Sequence, residues 1–325
     1  MGEKRYKSAY FMRKQEKEDL KQEVRRLQDE LAQLNPTPAK RQENEAISAI
    51  IRQQQLGVAS LQSAVSPLME QCPLYSFISL KKNWEDRCAA LVTLREEKFK
   101  AAYEYVSNRS QMAQLQLSDE RFETANGDTC CVIFQTVHLE GVESLKQVYD
   151  ALLFSVNNAE ISISERLGHV TVRDDYKGID GKIFNARIVS TNDEGVATEL
   201  NCVMMSQLFD GTEGVSGGEP CGMVVIDYVD EDERYPYLTS ERVRKDVSSA
   251  FVLTQHQKEV CSITDSTSTS TSHEFVVTLR RAAFVKLHRP AFKMADVAWQ
   301  ELQQESTRWG EVVVRTLRGA LYSQP

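Results

Sequence analysis

The 325-residue chain lacks most of the features that would announce a chemistry directly. No apolar run approaches the ~20 residues that a membrane-spanning helix needs, and Gly222-Met-Val-Val-Ile-Asp-Tyr-Val229 is among the longest. The seven cysteines (Cys72, Cys88, Cys130, Cys131, Cys202, Cys221, Cys261) are odd in number, scattered and without a C-x-x-C pair. That pattern speaks against a disulfide framework and against a zinc finger. The five histidines (His138, His169, His256, His273, His288) include no i, i+4 pair and no H-E-x-x-H, so no metal site is expected. Glycines 211 to 222 follow neither of the phosphate-cradling patterns, G-x-x-x-x-G-K-[ST] and G-x-G-x-x-G, and read as a mobile loop near a cavity mouth or a sheet edge. No G-x-S-x-G nucleophile elbow occurs. The expectation is a protein that is not an enzyme and carries no cofactor. Asp227, Asp230, Glu231, Asp232 and Glu233 cluster without the D-x-D-x-D-G loop and terminal Glu of a calcium site. They read as a solvated turn between strands, paired with Arg234 or Arg242. Met1-Gly-Glu-Lys-Arg-Tyr-Lys7 has no apolar h-region, so no signal peptide is expected and the setting reads as cytoplasmic or nuclear.

What is present is enough for a core: 41% apolar and 26% charged residues. The net charge of −8 argues against electrostatic nucleic-acid binding by the whole chain, so any basic activity must be local. Residues 1–35 form a basic arm of helical character. Leu20, Val24, Leu27, Leu31 and Leu34 step 4, 3, 4 and 3, an a/d heptad seam suited to a homodimer or a coiled-coil partner. Arg5, Lys7, Arg13 and Lys14 precede it with no acid among residues 4 to 15, and are the candidate nucleic-acid contacts. The arm contains no asparagine before position 15, and Tyr10, Phe11 and Met12 interrupt the charge. Two readings stand: a coiled-coil arm for dimerisation or docking, and a bZIP-like DNA contact. Asn35-Pro-Thr-Pro38 ends the helix. Residues 36–70 then supply a linker and a second amphipathic helix along Ile47, Ile51, Val58, Leu61, Val65 and Leu68.

Residues 71–325 read as one α+β domain. A helix over 83 to 109 shows one apolar face, including Trp84, Leu91, Phe99 and Val106. The period then changes to a strand over 130–137, a helix over 141–154, and strands over 183–191, 196–209, 223–228, 249–254 and 274–288. Residues 159 to 173 are ambiguous, because Ile161 and Ile163 alternate with serines directly after a helix. Asp265 to Ser272, rich in hydroxyls, reads as a flexible hairpin loop. A final helix over 295–321 carries Leu302, Trp309, Val313, Leu317 and Leu321. Consecutive strands with few helices between them imply a mostly antiparallel sheet, and a long last helix covers its concave face. That is a helix-grip.

Four blocks carry a family likeness: Asp119-Glu-Arg-Phe-Glu-Thr-Ala-Asn-Gly-Asp128, Ile161-Ser-Ile-Ser-Glu-Arg-Leu-Gly-His-Val-Thr-Val172, Tyr228-Val-Asp-Glu-Asp-Glu-Arg-Tyr-Pro-Tyr237 and Arg281-Ala-Ala-Phe-Val-Lys-Leu-His-Arg-Pro290. In these the chain resembles START-like proteins of oomycetes, the group of the mating-specific proteins, many of which carry a bZIP-like coiled coil before the START-like domain. The resemblance covers most of the chain from about residue 70. It implies a helix-grip fold and a binding role, and names no ligand. Two functions follow as expectations: a carrier of a hydrophobic ligand such as a lipid, with a dimerising arm, or a bZIP-like transcriptional regulator whose START-like domain senses a ligand. The candidate cavity residues are Met204, Phe275, Val277, Arg280, Arg281, Trp309 and Val313, with Met205 and Trp299 as further wall candidates. Arg280 and Arg281 are strand neighbours, so one of them faces inward.

Overall fold

The computed structural model describes residues 18, 21–27, 72–112, 116–212, 215–264 and 268–322. The chain divides into two units, Met1–Leu61 and Gln62–Pro325. In the first, residues 21–27 are helical, with Val24 and Leu27 about half exposed and the ion pairs Lys21–Glu18 and Arg26–Glu23 at 3.0 and 2.7 Å. Leu20, Leu31 and Leu34, the basic residues Arg5, Lys7, Arg13 and Lys14, and the second amphipathic helix all lie outside the described residues.

The second unit opens with the short strand β1 (Ser79–Leu80) and the 29-residue helix α1 (Trp84–Met112). Strands β2 (Leu117–Glu123) and β3 (Thr129–Glu140) follow, then helices α2 (Leu145–Asn157) and α3 (Ala159–Leu167). The remaining strands are β4 (Val170–Ile179), β5 (Ile183–Thr191), β6 (Ala197–Phe209), β7 (Cys221–Tyr228), β8 (Glu231–Asp232), β9 (Val243–Thr264) and β10 (Ser268–Leu287). Two C-terminal helices close the chain, α4 (Asp296–Glu305) and α5 (Arg308–Tyr322). The main sheet has eight strands in the order β2-β3-β10-β9-β7-β6-β5-β4. Its neighbours pair antiparallel, apart from a short parallel contact between β6 and β9. The fold class is α+β, a large antiparallel sheet with a C-terminal helix across one face.

Local chemistry sets the boundaries. Ser144 caps α2 by accepting from Gln147 N at 3.1 Å, while Gln147 Oε1 accepts from Glu143 N at 2.8 Å. Gly168 ends α3 in the left-handed conformation, φ 77°, where a side chain would be strained. This settles residues 159 to 173: a helix that buries Ser162 and Ile163 and exposes Ile161, followed by β4. The expected single final helix is two helices, parted where the buried side chains of Ser306 and Thr307 pack inward. The hydroxyl-rich tract is not a loop through its length. Residues 268–272 pair with 260–264 as an extension of the β9–β10 hairpin, and residues 265–267 lie outside the described residues.

Strand alternation gives the sheet two apolar faces. On one, Val203, Met205, Met223, Val225 and Val252 pack with Leu91, Phe99, Ala102 and Val106 of α1. On the other, Met204, Val224, Phe251, Leu253 and Leu279 pack with α2 and with Val313, Val314 and Leu317 of α5. The acidic stretch is a latch for the first face, not a solvated turn. Asp232 takes both terminal nitrogens of Arg87 at 2.8 and 2.9 Å, and Asp230 accepts from Ile78 N at 2.8 Å and from Tyr75 Oη at 2.9 Å. Asp227 pairs with Lys98 and accepts from Ser76 N at 3.0 Å, and Glu233 meets Lys81 at 2.7 Å. Arg242 lies instead 3.7 Å from Glu199.

Candidate functional site

Between the sheet and the helices of its second face lies a cavity of about 100 Å³. Its floor is the odd-numbered side of β9 and β10 and the even-numbered side of β5, β6 and β7: Ser249, Phe251, Ala283, Val285, Ile188, Leu200, Cys202, Met204 and Ile226 among them. Its roof is Trp309, Gly310 and Val313 of α5, and its end is Val156, Ala159 and Ile163 at the α2–α3 junction. This is smaller than the roughly 300–1,000 Å³ of sites for drug-sized ligands. It is closer to engineered apolar cavities of about 150 Å³ that take up a benzene.

Among the described residues three basic side chains line it, and no carboxylate does. Arg173 on β4 donates to the carbonyls of Val156 and Asn157 at 3.3 and 3.2 Å, so it serves the end of α2. Lys245 on β9 is 2% exposed, and its Nζ stands 3.5 Å from the ring centroid of Trp309. Among the described residues its ammonium makes no hydrogen bond and no ion pair; the indole face is its one close partner. Burial brings its pKa down from 10.5 to about 7 against the weaker pull of Cys131 and Glu305. Arg281 on β10 is 3% exposed. Its Nη1 reaches Gln135 Oε1 only at 3.4 Å, and its buried Nε finds no partner among the described residues. Burial lowers its pKa from 12.5 to about 10. The guanidinium lies so close to α5 that a Cβ on Gly310 would overlap it, so the absence of a side chain there admits the arginine.

The sequence-derived candidates separate accordingly. Met204, Arg281, Trp309 and Val313 line the cavity. Phe275 and Val277 pack in the apolar cluster of the same face without lining it. Arg280 faces the other side, donating to Thr254 Oγ1 at 2.8 Å. Met205 belongs to the α1 side, and Trp299 packs beside the separate cluster of Val243, Leu287 and Leu302. Sequence reasoning missed Lys245 and Gly310. Within Val243-Arg-Lys-Asp-Val247 the lysine looks like one more solvated charge. Carrying the strand's alternation back from Phe251 places 245 on the inner face, which is the signal that finds it.

No protein-family model matches the chain, and no curated protein matches it in sequence. Among solved structures it is similar to human STARD10, with TM-score 0.33 and 9% identity over 69% of this chain and 80% of that one. It is also similar to the di-domain ARO/CYC BexL from the BE-7585A biosynthetic pathway, with TM-score 0.30 and 13% identity, covering 60% of this chain and about half (51%) of that one. Ara h 8.0201 follows at TM-score 0.26 and 10% identity, with 57% of this chain and 97% of that chain covered. These likenesses are loose, and the cavity's own residues carry what comes next. Among the described residues, no helix is long and apolar enough to cross a membrane.

Proposed function

We propose that the chain is a non-enzymatic START-like binding protein, of the oomycete group that its sequence blocks resemble, holding a small or slender hydrophobic ligand beneath α5. The observation that supports this is the cavity: a largely apolar, partly open space between sheet and helix that the protein's own side chains leave unfilled at about 100 Å³. Close packing leaves few voids larger than a water in an ordinary core. Among the described residues the lining of this cavity itself includes no histidine or carboxylate, which favours binding over catalysis. Longer ligands require α5 or the α2–α3 junction to yield. In this reading the arm supplies self-association through its leucine seam, with the cytosol or nucleus as the setting. The test is organic extraction of the purified chain followed by mass spectrometry, beside thermal-shift titration with small apolar compounds. A stoichiometric extracted compound or saturable stabilisation is the expected result. The absence of both an extracted compound and any stabilisation would sink the reading.

A further inference from the structure

The chain's other buried cations show how it ordinarily treats charge in its interior. Arg87 is held by Asp232 at 2.8 Å and Lys98 by Asp227, and even the half-buried Arg187 and Arg244 have Glu199 at 2.5 Å and Asp246 at 2.7 Å. A cation removed from water is costly unless a counter-charge accompanies it. Lys245 and Arg281 break this habit, and they do so in the same cavity. Both are at least 97% buried by exposures of 2% and 3%, and among the described residues neither makes an ion pair with a carboxylate; Glu305 acts on Lys245 only from beyond contact and is itself paired with His169 at 3.1 Å. They also meet the roof at adjacent residues: Lys245 lies against Trp309, and Arg281 against Gly310. The two donors are thus brought to one turn of α5, at the polar edge of an apolar space.

Resting on the reading of the cavity as a ligand site, we infer that the missing counter-charge belongs to the ligand, a carboxylate on an apolar body. Its two oxygens are placed between the Lys245 ammonium and the Arg281 guanidinium, and its hydrocarbon lies along Met204, Phe251 and Val313. A planar monoanion matches this donor set, since the guanidinium presents a flat edge and the free Nε a further donor. The small volume favours a single chain or ring over a two-chain lipid.

The experiment is calorimetric titration of the full chain with straight-chain carboxylates of about six to fourteen carbons, each beside the primary alcohol of equal length. Wild type should bind the carboxylate at least ~10-fold more tightly than the alcohol. Lys245→Met should abolish that preference while retaining alcohol binding. It should fold without difficulty, because methionine fills the lysine's volume and removes an unpaired charge. Arg281→Met provides the second variant, and circular dichroism checks its fold. Equal affinities for acid and alcohol, unmoved by Lys245→Met, would overturn the inference and leave the hydrophobic-ligand reading standing. Binding of neither series would overturn both. Preference for dodecyl phosphate over dodecanoate would overturn the carboxylate assignment.

Discussion

Arg87 grips Asp232 through both terminal nitrogens, with the two side chains only 1% and 0% exposed. Around the pair, Asn201 Nδ2 donates to the same carboxylate at 3.1 Å and the backbone N–H groups of Arg234 and Tyr235 donate at 3.0 Å. Burial pushes the Asp232 carboxyl up, and these donors more than offset it, so its pKa lies below the usual aspartate value. The stabilisation it brings is therefore complete above that usual value and is lost as pH falls through the lowered pKa. Removing one partner leaves the other charge buried and alone. Arg87→Met and Asp232→Asn should each cost about 3–5 kcal/mol in chemical denaturation, far more than Lys81→Met at the exposed Glu233 pair. A cost below about 1 kcal/mol would refute the latch.

The stability of the ligand-free protein should rise with pH above neutrality. Lys245 has its folded pKa depressed to about 7 from 10.5. Between these values the unfolded chain holds a proton that the folded chain has released, so stability climbs by up to roughly 1.4 kcal/mol per pH unit. Below about 7 the penalty is full and constant. The groups facing this amine are Cys131 from β3, Glu305 from α4 with His169 at 3.1 Å behind it, and Trp309 from α5. Urea denaturation from pH 7 to 10 checks the slope, and Lys245→Met should flatten it. Identical slopes in wild type and variant would count against the assignment.

Gly310 should be a site where the sign of a substitution depends on its neighbour. Alanine in place of glycine favours a helix by about 1 kcal/mol. Here its methyl would overlap Arg281, and overpacking costs about 1–3 kcal/mol. Gly310→Ala is expected to lower Tm in the wild-type background and raise it in the Arg281→Met background. A double-mutant cycle with no coupling energy would show that the arginine does not occupy that space.

The arm gives a separate test. Val24 and Leu27 stand about half exposed on the helical stretch 21–27. In the proposed seam they sit at consecutive a and d positions. Val24→Glu with Leu27→Glu should convert a self-associating chain to a monomer in sedimentation, without changing the melting of the sheet domain. A wild-type monomer at micromolar concentration would remove the dimerisation reading.

Much of the fold was legible because its signals are local. Strand β5 was bounded correctly over 183–191, since Asp180-Gly181 and Asn192 to Gly195 close both ends with positive-φ turns. Helix α1 showed its apolar face over nearly its full length. The break in the last helix was not legible: Leu302 and Trp309 are seven residues apart and stay in phase across it, and no glycine or proline marks it. Thr307 is held there partly by Arg121 of β2, 186 residues away in sequence, at 3.1 Å. The acidic latch failed for the same reason. Its cationic partners lie far earlier in the chain, Arg87 145 residues before Asp232, and no pattern within the run reveals them. At the cavity, Arg281 could be narrowed to one of two neighbours by strand parity. Lys245 needed a strand drawn six residues longer at its start than its apolar core suggested.

The sheet is open, with β4 as its last strand on one side. Val170 and Val172 there are 71% and 56% exposed, beside a backbone ladder that among the described residues only β5 occupies. Such an edge is a template for pairing with another chain. The irregular register between Tyr176 and Ile179 bends the far end and spoils it for that purpose. The near end has no such bulge, so fibre growth during concentration or partial unfolding should begin at residues 170–172. A single lysine at Val172 would be the economical way to make the protein easier to handle.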